Sequence, residues 1–145
     1  MGARRNYRSV LTSISLHATH HSSTIPGRGV LIDYASWAEK KGITYTTFSQ
    51  HTIKLTEILE IAAECNITFQ RGDILLVRIG VIEEWETKMD VCAKQAYAAA
   101  TCPRHAGVEG TMDVLKWIWN TGFAAVAGDA ISWEVSFPCI QRYHY

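Results

Sequence analysis

The run Ile74-Leu75-Leu76-Val77-Arg78-Ile79 constrains this chain more than any other stretch. Five of its six residues are apolar, and it is entered through the turn Arg71-Gly72-Asp73. Such a run is too short for an independent helix and reads as a strand. Its apolar character is nearly continuous instead of alternating, which predicts a central strand covered on both faces.

Other elements are arranged around that strand. Pro26-Gly27 and Gly29 mark a break, and Val30-Leu31-Ile32-Asp33-Tyr34 reads as a short buried strand. Residues 35–51 form a mixed loop, with about one helical turn over Ser36–Lys41 before Gly42. Thr56 is the expected N-cap of a helix, with Glu57 in its first turn and an apolar face of Leu55, Ile58, Leu59 and Ala62 ending at Asn66. Residues 84–100 suggest one solvated helix closed by Pro103. A third helix is expected from Glu109 to Thr121, with Val108, Met112, Leu115 and Ile118 or Trp119 on one side and Gly122 at its end. Trp117 and Trp119 are two apart and cannot share a face, so one belongs in the core and the other at an interface. Phe123–Ala127 reads as another strand. The resulting order predicts an α/β fold: a small mixed sheet flanked by helices, over residues 27–138. A basic irregular tail precedes it over 1–26, and a short tail follows over 139–145. So few strands make a thin core whose exposed sheet edges would need covering.

The 145 residues suffice for one domain. Hydrophobic residues at 48% and charged residues at 19% argue against disorder. The net charge is zero, so nothing in it favours nucleic acid or an anionic membrane as partner. Arg4, Arg5, Arg8 and Arg28 stand in an acid-free stretch through Ile32. Mitochondrial import is one reading of that composition; an irregular tail on a cytoplasmic protein is the preferred one. No run approaches the roughly 18 apolar residues of a membrane helix. Cys65, Cys92, Cys102 and Cys139 include no C-x-x-C pair, and four free thiols are expected, with Cys65 a small core residue.

Four stretches carry a resemblance. Gly27-Arg28-Gly29-Val30-Leu31-Ile32-Asp33-Tyr34, Phe69-Gln70-Arg71-Gly72-Asp73-Ile74-Leu75, Arg104-His105-Ala106-Gly107-Val108-Glu109-Gly110, and Gly122 to Ser132 stand in that order. Together they resemble the central portion of the cyclase family, kynurenine formamidase-like metal-dependent hydrolases, in its longer fungal-type branch. The resemblance covers about residues 27–135. It implies a swivelling β/β/α fold and hydrolysis of amide or lactam bonds, with arylformamidase action on N-formylkynurenine the best-known case. It also implies zinc or manganese, which would activate water and polarise the carbonyl. The family's H-x-G-T-H-x-D-like motif and its later His and Glu pair have no convincing copy here. The expectation is therefore a truncated form with an incomplete metal site, and this chain's metal ligands stay unassigned.

By the same resemblance His105 and Glu109 lie beside the substrate and are candidate catalytic residues. Glu109 could equally complement a helix N-terminus. Asp129, just past a strand end, is a third candidate; a structural turn carboxylate is its other reading. Ser132 and Trp133 are candidate substrate-binding residues, Trp133 being equally suited to the core. His17, His20 and His21 echo a metal motif, against a plain polar tail. Cys102 and His105 lack an orienting third group for thiol catalysis. The expected partner is a small-molecule substrate, without nucleic acid or membrane, and a homo-oligomer is compatible with the open sheet edges. The competing function is a catalytically inactive binding or assembly module that pairs with another chain.

Overall fold

The computed structural model describes residues 27–135 of the chain. Five short strands and five helices follow in the order β1 (Gly29–Asp33), α1 (Tyr34–Lys41), β2 (Thr52–Ile53), α2 (Leu55–Glu64), β3 (Ile74–Arg78), α3 (Val81–Thr87), α4 (Val91–Ala99), β4 (Gly107–Val108), α5 (Met112–Thr121) and β5 (Ala125–Gly128).

The apolar run becomes β3, and it is central as expected: the main sheet has the order β1-β3-β5. Both pairings are parallel, with Val30 beside Leu75 and Leu75 beside Val126. A second sheet pairs β2 with β4, also parallel. The sheets are therefore parallel and not mixed. The physical reason is that helices intervene between successive strands of the main sheet, and such crossovers return the chain in the same direction.

The expectation that β3 is covered on both faces fails. Ile32, Leu75 and Val77 are buried in one cluster with Ile58, Ile61, Ala62 and Val114, and Val30 is buried too, whereas Leu31 on the opposite face is 51% exposed. Strand order explains this. Two crossovers that step the same way across a sheet, each of the usual hand, put their helices on one face. Nothing among the described residues reverses the order, so the face bearing Leu31, Leu76 and Ala127 stays open as a groove of about 690 Å³.

Local chemistry explains the helix ends. Asp33 caps α1, its carboxylate accepting from the Ser36 N–H at 3.1 Å, so Tyr34 starts a two-turn helix instead of ending the strand. Gly42 closes α1 at φ +72°, where only glycine is unstrained. Helix α2 begins two residues earlier than Thr56 predicts, because Glu57 reaches back to the Lys54 N–H at 2.7 Å. The single helix expected over 84–100 is two, broken where Asp90 caps α4 through the Ala93 N–H. Helix α5 starts at Met112 after the Thr111 cap, which leaves Val108 in β4. Its core side is Val114, Trp117 and Ile118, not Met112 and Leu115, which are exposed.

Cys65 and Cys92 are free and exposed, while Cys102 is disulfide-bonded, which corrects the expectation of four free thiols. Disulfide pairing depends on how closely two backbones approach, and spacing along the chain does not encode it. The calls on 1–26, including His17, His20 and His21, and on 139–145 lie outside the described residues.

Candidate functional site

The short sheet β2-β4 gathers His105, Glu109, Ser132 and Trp133, whereas Asp129 lies apart, just past β5 of the main sheet. Val108 bonds twice to one segment: its N–H donates to the Trp133 carbonyl at 2.9 Å, and its carbonyl accepts from the Val135 N–H at 2.8 Å. This places the 132–135 segment as a third, parallel ribbon beside β4. The approach is close because position 107 is glycine. A Cβ there would lie 2.5 Å from the Glu134 carbonyl carbon.

His105 and Ser132 are brought together, with Nε2 at 2.5 Å from Oγ. The Ser132 hydroxyl donates its one proton to the Glu134 carbonyl at 2.6 Å. It must therefore accept from His105, which assigns the Nε2–H tautomer. The Nδ1 lone pair then points into the interior without a partner, on a side chain that is buried. The ring is thus held at one nitrogen, while the other is sealed from solvent and has no hydrogen-bond partner.

Glu109 and Asp129 have other occupations. Glu109 Oε1 accepts from the Leu55 N–H at 2.8 Å and so complements the start of α2, which begins with unpaired N–H groups. Asp129 accepts from three successive backbone N–H groups, those of Ile79 (2.6 Å), Gly80 (2.9 Å) and Val81 (3.0 Å). It ties the end of β5 to the turn that leaves β3 and enters α3. Trp133 packs partly against the core, its indole N–H sealed from solvent and unpartnered.

A second polar cluster escaped the sequence reading. The Tyr34 hydroxyl lies 2.8 Å from His51 Nε2 and 3.5 Å from Glu57 Oε1. Tyr45 stacks on His51 with ring centroids 4.4 Å apart and donates to the Ile79 carbonyl at 2.6 Å. Burial raises the pKa of Tyr34 and Tyr45, with nearby Glu57 adding to the first. Burial also lowers that of His51, against the pull of Glu57. His51 connects the two clusters through its backbone, its carbonyl accepting from the Gly107 N–H. No motif signals these residues, since three separate segments supply them: α1, the loop before β2, and α2. The one available clue is two tyrosines and a histidine flanking a short loop.

Near this corner Glu84 accepts from the Thr46 hydroxyl and the Thr47 N–H. Burial works against its charge, but those hydrogen bonds outweigh it and its pKa is lowered. Phe48 packs edge-on against Tyr97 at 4.8 Å, joining the loop before β2 to α4.

A divalent cation does not fit the donors of this site. His105 Nε2 is committed to Ser132, Glu109 to Leu55, and Asp129 to three amides. Among the described residues no group of three or more His, Cys, Asp or Glu side chains could hold a metal ion.

The model of the Cyclase family matches residues 12–135. A solved structure described as the crystal structure of a novel cyclase is similar with a TM-score of 0.58 and 26% identity, over 74% of this chain and 32% of that one. The chain thus spans about a third of the length of that structure. No curated protein matches. No helix among the described residues is long and apolar enough to cross a membrane.

Proposed function

This chain belongs to the Cyclase family, and on that premise we propose that it is a hydrolase-type domain for amide or lactam C–N bonds, of the arylformamidase kind. The observation that carries the reading is His105, buried, held at Nε2 by Ser132 and bare at Nδ1. In this role Nδ1 takes a proton from a water or hydroxyl that reaches it, and Ser132 keeps the ring oriented while the charge forms. Glu109 and Asp129 act as positioning residues, holding α2 and the β3–α3 turn around that corner. Zinc or manganese, which the family resemblance implies, would need donors beyond those named here, such as His17, His20 and His21 or another chain.

A second reading is favoured by the same hydrogen bonds. Both candidate carboxylates are occupied by backbone amides, as expected of a catalytically inactive module that binds another chain. One experiment separates the two. Purified chain is assayed for bound zinc and manganese and for hydrolysis of N-formylkynurenine, with and without chelator. Chelator-sensitive hydrolysis that drops at least tenfold in His105→Gln, with folding retained, supports the hydrolase. Metal-free protein with no turnover supports the inactive module.

A further inference from the structure

We propose that residues 4–16 of this chain fold back as a helix over the open face of the main sheet, with their basic end against Glu83 and Glu86. The proposal does not rest on the hydrolase reading.

The open face lacks the layer that a parallel sheet needs. Purely parallel sheets occur almost only with both faces covered. One face shares its core cluster with Ile58 and Ile61 of α2 and Val114 of α5. On the other, Leu31, Leu76 and Ala127 stand side by side across the three strands. Ile82, 60% exposed, continues this apolar groove at the carboxyl edge of the sheet.

The charges identify the occupant. Glu83 and Glu86 line the groove from α3, at the carboxyl edge, and both are exposed. Arg78 beside them is already paired with Asp33 and Glu83, so Glu86 leaves that end acidic. Residues 27–135 hold 10 Lys and Arg against 14 Asp and Glu, whereas residues 1–26 hold Arg4, Arg5 and Arg8 and no acid. Just after these arginines Tyr7, Val10, Leu11 and Ile14 recur at i, i+3, i+4 and i+7. On a helix they would form one apolar stripe of about 100°, the width of a face that packs on a core. Ser9, Thr12 and Ser13 fall on the opposite side.

Direction and length agree with this placement. A helix that leads into a parallel strand from the face of its sheet runs antiparallel to that strand, from the carboxyl edge to the amino edge. Laid so, Arg4, Arg5 and Arg8 begin at the edge that carries Glu83 and Glu86, and Leu16 ends near the start of β1. Thirteen residues make a helix about 20 Å long, against about 16 Å for the five residues of β1. Residues 17–26 then connect to Gly27, and ten residues can span up to about 33 Å. The family match begins at residue 12, so the segment lies partly inside it.

The test combines hydroxyl-radical footprinting with hydrogen exchange on the full chain over a range of dilutions. Leu31 and Leu76 should be oxidised slowly at every dilution, and the amides of residues 7–14 should be protected. Val10→Asp with Ile14→Asp should raise oxidation of Leu31 and Leu76 several-fold, while slow exchange in β3 shows that the sheet is intact. Arg5→Glu with Arg8→Glu, a change of charge alone, should loosen the segment likewise, and adding Glu86→Lys should restore part of the protection. Rapid oxidation of Leu31 and Leu76 in the parent chain overturns the proposal, as does protection that survives both double variants. Protection lost on dilution overturns it too, because the cover would then come from another molecule. Rapid exchange throughout residues 4–16 does the same and leaves import as the reading of their composition.

Discussion

Arg28 grips Asp73 with two parallel bonds, Nε to Oδ1 at 2.8 Å and Nη2 to Oδ2 at 2.7 Å. The pair joins the approach to β1 to the first turn of β3, 45 residues later. The Asp73 carboxylate is buried and also accepts from the Gln70 N–H at 2.7 Å. Two strands of a parallel sheet share no tight turn, so a fork–fork pair at their entry helps to set their register.

Asp73→Ala should lower stability by about 2 kcal/mol, because it leaves the Gln70 amide and the guanidinium without their partner. The Arg28 hydrogen bond holds the Asp73 carboxyl below its usual pKa against the effect of burial. A depressed folded value contributes stability above the ordinary carboxylate range, and that contribution is lost as pH falls through the folded value. Urea unfolding of the parent should weaken below about pH 4, and the Ala variant should show a shallower acid limb.

His51 predicts a second acid sensitivity in a different window. Its pKa is lowered from 6.5 by burial among Tyr34 and Tyr45, with Glu57 opposing. The unfolded chain therefore binds the proton more readily than the folded one. Stability is full above pH 6.5 and declines as pH falls from there towards the folded value. His51→Gln should remove most of this decline below pH 6.5, measured as the shift in urea midpoint. An unchanged slope in the variant would count against the assignment.

Asp129→Asn should destabilise the fold by about 2 kcal/mol. One amide oxygen cannot replace two carboxylate oxygens that accept from three N–H groups. Hydrogen exchange should accelerate at Ile79, Gly80 and Val81 before the rest of the sheet. A variant with parental stability but altered turnover would move Asp129 from positioning to chemistry.

Gly107→Ala should be among the most damaging single-methyl changes. The added carbon would sit 2.5 Å from the Glu134 carbonyl carbon and 2.7 Å from its oxygen, both backbone atoms that no rotamer change can clear. The expected loss is about 3 kcal/mol, with separation of the 132–135 ribbon from β4. Thermal unfolding gives the loss, and accessibility of the Trp133 indole gives the separation.

Much of the main sheet was legible in the chain itself. Ile74–Ile79 announced a central strand and Val30–Asp33 a second, because burial leaves an apolar signature that needs no neighbour to be read; the third, after Phe123, carries apolar residues although only Val126 of β5 is partly buried. Gly42 and Gly122 marked helix ends for a reason equally local, a left-handed φ that side chains resist. The two-residue strands β2 and β4 carried no such signal. They are defined by long-range backbone bonds from Gly107 to His51 and from Glu109 to Ile53, and Gly107 also lets the 132–135 ribbon come close.

Which face of α5 turned inward was also undecidable from its sequence, since both faces are apolar. The turn from α5 into β5 and the packing of Phe69, Trp117 and Phe123 settled it. The site divides in the same way. His105, Glu109, Asp129, Ser132 and Trp133 could be named one by one, but a sequence lists residues without their distances. Tertiary structure decided that His105 meets Ser132, that both carboxylates go to backbone amides, and that Tyr34, Tyr45, His51 and Glu57 converge. Hydrogen bonding is short-ranged and directional, so a side chain's role follows from the few ångströms around it.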